Sequence, residues 1–160
     1  MLRSHLSLTT ALLILFSVAL FAGATPVQAA PSVEQAIQDL QSSDPAVQMQ
    51  ACRVLGAARA KPAVTPLVEL LDQTTDSRVA ATAAAALGAI GEKGVATTAL
   101  LRAANESEST AVKYAALLSL AAIADEHHQQ NTLEAATAAA DSSDPLLSDL
   151  AAKLRPLLQK

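Results

Sequence analysis

The chain has 160 residues, 11 of them basic and 15 acidic, for a net charge of −4. That length suits one modest domain, and an acidic balance with no basic stripe excludes an ordinary nucleic-acid binder. A single cysteine excludes an intramolecular disulfide, and an aromatic content of 2% excludes a pocket built from aromatic rings.

Residues 1–29 are expected to form a secretory signal peptide. Arg3 and His5 give a short basic start, residues 6–23 are almost wholly apolar, and Thr25-Pro26 breaks the run. Val27-Gln28-Ala29 then supplies the small residues that a cut between Ala29 and Ala30 requires. The competing expectation is an uncleaved anchor helix, for which a run of about 20 apolar residues is needed. A lipoprotein needs a cysteine at the cut, and none stands there. Arg3 is the only base among residues 1–29 and no acid lies there. The remaining 131 residues therefore carry 10 bases and 15 acids, net −5. The expected compartment is the periplasm or the exterior.

Past the leader, residues 30–42 hold a capping helix over 33–40, with Val33, Ala36, Ile37 and Leu40 at helical spacing. Residues 43–158 then repeat one pattern. Ser43-Asp44-Pro45 leads into Val47, Ala51, Val54 and Leu55-Gly56. Asp76-Ser77 leads into Val79, Ala83, Ala86 and Leu87-Gly88, and Ser109-Thr110 into Val112, Ala116, Ser119 and Leu120-Ala121. A fourth start, Asp144-Pro145, leads into Leu147, Ala151, Leu154 and Leu158. Apolar residues at i, i+4, i+7, i+8 and i+11 make one stripe on a helix. Asp44, Asp76, Ser109 and Asp144 are suited to accept from the free first-turn N–H groups, and Pro45 and Pro145 lose no bond at the first helical position. Gly56 and Gly88 lie near helix ends or at close-packing positions, and Gly91 and Gly94 mark a turn.

A second, shorter helix follows each of the first three. These are expected over 66–71, with Thr65 as cap and Pro66 leading, over 95–104, and over 131–140. Polar links lie at 73–75, 105–108 and 141–143. A period of this size, with no strand-like alternation, predicts an all-α, right-handed α-solenoid of about three helix pairs between capping helices.

The pattern Asp-Pro-x-Val-x-x-x-Ala-x-x-x-Leu-Gly with a short second helix resembles HEAT repeats, in particular the short bacterial type related to phycobilin-lyase HEAT-like proteins. The resemblance covers roughly residues 43–155. It implies a binding scaffold, or a chromophore-handling lyase. Family repeats often carry arginine after the valine, whereas Gln48, Ala80 and Ser148 stand there and only Lys113 is basic. Leu120-Ala121 departs from Leu-Gly as well.

Few residues point to chemistry. Asp125-Glu126-His127-His128 is the one cluster of metal-ligand side chains, expected in an inter-helix loop. Helix-borne sites use i, i+4 pairs, so His127 and His128 make a poor zinc or nickel site. Cys52 sits among alanines in a helix pattern, where a buried small hydrophobe is expected. No nucleophile elbow or phosphate loop occurs, and a bilin pocket wants aromatics and bases that the chain lacks. No cofactor and no catalytic set are expected.

Binding residues are sought on two faces instead. Tyr114 shares its repeat position with Met49 and Ala81, about half a turn from the stripe, and so is expected on the outer face, either as an exposed contact patch with Met49 or, the favoured reading, with its ring packed over neighbouring helices and its hydroxyl in water. The second helices are expected to present Thr97, Thr98, Glu69, Arg102 and Glu134. The composition and the resemblance together predict an exported scaffold for a protein or peptide of the cell envelope, without catalysis of its own. An accessory subunit of an envelope enzyme or transport complex, and a bilin-lyase-like or metal-binding protein using 125–128, remain the alternatives.

Overall fold

The computed structural model describes residues 32–123 and 126–159. The chain divides into two units, Met1–Ala30 and Pro31–Lys160, and all described residues lie in the second. The expected leader over 1–29 and its cut at Ala29/Ala30 lie outside them, as do Asp125 and the side chains of Glu126 and His127.

The described residues fold as an all-α stack of eight helices without a strand. These are α1 (Val33–Asp39), α2 (Pro45–Ala57), α3 (Val64–Gln73), α4 (Ser77–Ile90), α5 (Val95–Glu106), α6 (Thr110–Ile123), α7 (Glu126–Ala140) and α8 (Pro145–Leu158). The first helices of the repeats, α2, α4, α6 and α8, form one row. The helices α3, α5 and α7 form the other, with α1 packed on α2 ahead of it.

Three of the four even-row helices start the same way, and the expected cap Ser109 of α6 shows no such bond among the described residues. Asp44 accepts from the Ala46 N–H at 2.8 Å, Asp76 from Arg78 at 2.8 Å and Asp144 from Leu146 at 2.9 Å. Each satisfies a donor that the first turn leaves free. A hydroxyl two residues earlier locks the approach. Ser42, Thr74, Ser107 and Ser142 accept from the N–H of residues 44, 76, 109 and 144 at 3.1–3.2 Å. These side chains mimic a backbone turn, and they turn the chain out of each partner helix into the next repeat. At the other end of α4, Gly91 takes φ 76°, a left-handed cap that a β-carbon disfavours.

The stripe buries as the period requires. Val79, Ala83, Leu87 and Ile90 of α4, and Val112, Ala116, Leu120 and Ile123 of α6, are all buried. Burial of these apolar groups against neighbouring helices is the dominant favourable contribution to folding. α4 packs mainly on α6, α2 and α3. The exceptions on the stripe are both on α2, Val47 at 36% exposed and the half-buried Val54. They lie on the first helix of the even row, which has a row neighbour on one side only among the described residues.

Two helix starts differ from expectation. α3 begins at Val64 after a 3-10 turn, Lys61–Ala63, and Thr65 is not its cap. Pro66 is tolerated because the first-turn N–H it removes had no intrahelical partner. α7 begins at Glu126 rather than near residue 131. Its first turns are polar, so no apolar period announced them.

Candidate partner-binding surface

On the even row, residues 49, 81 and 114 share one register. Met49, Ala81 and Tyr114 are all half-buried and packed against the core, as the packed-ring reading of Tyr114 has it. Helices that approach closely let a long side chain lie down across the neighbour. Tyr114 forms one wall of a groove of about 380 Å³ between α4 and α6. Ala85 and Ala89 line the α4 side, Ala115, Leu118 and Ala122 the α6 side.

The floor of this groove is Gly88 against Ser119. A β-carbon on Gly88 would meet Ser119 Oγ, Ser119 Cβ at 2.6 Å and Ser119 Cα at 2.9 Å. Glycine is thus required by backbone approach, the packing role of the two offered by sequence. Ser119 is buried and donates its hydroxyl to the Ala84 carbonyl at 2.9 Å. The hydroxyl is satisfied inside an apolar seam, which removes the cost of burying it. Gly56 plays the milder version, with Ala86 Cα at 3.1 Å from its would-be β-carbon.

The odd row is polar. Thr98, Glu69, Arg102 and Glu134 are exposed as expected. Arg102 is not a free cation, because it pairs with Asp72 of α3 and ties the two helices. Asp72 and Arg102 border a polar notch of about 430 Å³ with Thr75, Glu106 and Glu108. Thr98 donates to the Gly94 carbonyl at 3.2 Å. Thr97 must be taken off this face. It is 0% exposed, and its Oγ1 has no hydrogen-bond partner. One residue along a helix is a rotation of about 100°, enough to send Thr97 into the core while Thr98 meets solvent.

The histidine pair does not lie in a loop. His127 and His128 are the second and third residues of α7. The His128 carbonyl accepts from Thr132 Oγ1 at 2.8 Å, and Thr132 is fully buried. Among the described residues no three His, Cys, Asp or Glu side chains converge as a metal site would need.

Cys52 is 0% exposed, as a small core residue. Burial pushes its thiol up to about 11, against smaller opposing contributions from a backbone hydrogen bond and Arg53. A thiol in that state is neither a nucleophile nor a metal ligand at neutral pH.

Sequence reasoning missed the groove because it searched for distinctive side chains. The groove is made by their absence, at Gly88, Ala85 and Ala89. The signal available was the pair Gly88 and Ser119, two small residues at packing positions of successive first helices. A family model for HEAT repeats matches residues 33–121, more than half of the chain. Among curated proteins none matches it.

Proposed function

From the premise that the chain belongs to the HEAT-repeat family, we propose that it is an exported scaffold that binds a protein or peptide partner and performs no catalysis of its own. HEAT repeats are helical scaffolds that commonly bind proteins, and the fold alone hosts many roles. The observation that carries the reading is the unbroken stacking of α2, α4, α6 and α8 in one row and of α3, α5 and α7 in the other. It leaves two open rows of side chains, the geometry by which repeat proteins hold extended partners. The buried, protonated Cys52 supports the non-catalytic part of the reading. The basic start, apolar run and small-residue cut in residues 1–29 support export. Among the described residues no helix is long and apolar enough to cross a membrane.

The test is a crosslinked pull-down of the tagged full-length protein from its own cell envelope, read by mass spectrometry. The expected result is one dominant stoichiometric partner, with a mature N-terminus at Ala30. Recovery as a lone chain that turns over a substrate would overturn the scaffold reading, and an N-terminus at Met1 would overturn cleavage.

A further inference from the structure

The two rows carry opposite charge. α2, α4, α6 and α8 hold five bases, Arg53, Arg78, Lys113, Lys153 and Arg155, of which Arg78 pairs with the cap Asp76, and one acid, Asp149. α1, α3, α5 and α7 hold seven acids and one base, the Arg102 that pairs with Asp72. The chain as a whole is acidic, so the even row runs against the average. The capping acids Asp44, Asp76 and Asp144 precede their helices and stand at one end of that row. At 1.5 Å per residue, Ala85 lies roughly 13 Å along the axis from Asp76.

The basic row is also the row with the apolar groove. Its repeat register aligns Arg53, Ala85, Leu118 and Lys153, and again Ala57, Ala89, Ala122 and Leu157. The Thr110 hydroxyl donates to Asp144 at 2.9 Å, which ties the start of α6 to that of α8. The groove is therefore apolar at its centre, with Arg53 on one flank and Lys153 on the other. Arg53 is exposed and makes no ion pair among the described residues. Lys153 pairs with Asp149 at 2.6 Å, but both side chains are well exposed, and such pairs are weak enough to exchange partners.

We infer that this groove docks an acidic amphipathic helix of a partner protein, its apolar side chains between α4 and α6 and its carboxylates against Arg53 and Lys153. The inference rests on the scaffold reading and names its surface and its partner chemistry. Helix-in-groove recognition needs an apolar trough that admits side chains at i, i+3, i+4 spacing. Alanine and glycine provide the trough, and Leu118, 44% exposed, provides the anchor. Complementary charge on the flanks sets orientation and rejects basic segments.

The test measures fluorescence anisotropy of a labelled synthetic helix, leucine on one face and glutamate on the other, titrated with the full-length protein. Saturable binding is expected. Leu118→Ser should weaken it about tenfold, as loss of a central anchor does. Arg53→Glu with Lys153→Glu should weaken it comparably and should gain binding to the lysine twin of the peptide. All three positions are exposed, and unchanged circular dichroism checks that the variants fold. Equal binding of both peptides to the unaltered protein would overturn the inference, as would unchanged binding in the charge-reversed variant. Binding to phosphatidylglycerol vesicles in place of the peptide would assign the face to a membrane and overturn it too. A photo-crosslinker at Leu118 or at Thr98 in the envelope pull-down separates the two readings. Capture only from Thr98 overturns this inference and leaves the scaffold standing, whereas capture from neither overturns both.

Discussion

The α4–α6 junction and the α6–α8 junction use the same repeat positions and close differently. At the first, Gly88 faces Ser119, small against small, and a buried hydroxyl reaches the Ala84 carbonyl. At the second, Ala121 stands in the glycine register and Leu154 in that of Ser119. α6 packs far more extensively on α4 than on α8, whose main partner is α7. Repeats that look alike along the chain can therefore build one tight seam and one loose seam. The difference comes from the size of two facing side chains, not from the stripe.

The comparison is sharpened first by truncation at the tight seam. Leu87 is 0% exposed, and Leu87→Ala should lower unfolding free energy by about 2–5 kcal/mol in urea titrations. A loss under about 0.5 kcal/mol, the scale of surface changes, would show that α4 is not the centre of the core. Next, Gly88→Ala should cost about 1–3 kcal/mol by overpacking. Ala121→Gly, at the matching place in the loose seam, should cost only about 0.5–1 kcal/mol through backbone entropy. Equal costs would break the distinction between the seams.

Smaller still, Thr97→Val should raise stability by about 1 kcal/mol, because it removes an unpaired buried hydroxyl without changing shape. A lower melting temperature would mean that the hydroxyl is satisfied in solution.

The smallest effect is one of pH. The Thr110 hydroxyl, helped by the Leu146 N–H, holds the Asp144 carboxyl below its usual 3.8. A depressed carboxylate adds stability that is present above its unfolded value and lost as pH falls below it. Thr110→Ala should therefore lower the melting temperature slightly at neutral pH, and the gap should shrink below about pH 4, the ordinary carboxylate range. Asp76 is held lower, at about 2, by the Arg78 side chain and then the Arg78 N–H, within its own repeat. Its contribution should persist to a lower pH and leave the α6–α8 seam untouched. A gap for Thr110→Ala that stayed constant down to pH 2 would sink the assignment.

Much of this fold was legible in the residues. Asp44, Asp76 and Asp144 announced three helix starts, and the Val-Ala-Leu stripe announced the buried side. These are local signals, one residue capping its own helix. What escaped was set by neighbours. The start of α7 at Glu126 was hidden because its first turns carry no apolar stripe. Burial of Thr97 depended on the helices around α5, and a threonine alone does not announce it. The candidate site was the least legible part. Tyr114 stands out in the sequence by its repeat position, yet its place as the wall of a groove follows from Gly88 and Ser119 on two different helices.

One consequence concerns time rather than energy. With its thiol held at about 11 and no exposed surface, Cys52 is ionised in only about one molecule in ten thousand at pH 7. Alkylation of the folded chain must wait for α2 to open from the helices packed on it, α1 and α4. The labelling rate at Cys52 is thus a clock for the opening of the first helices of the stack.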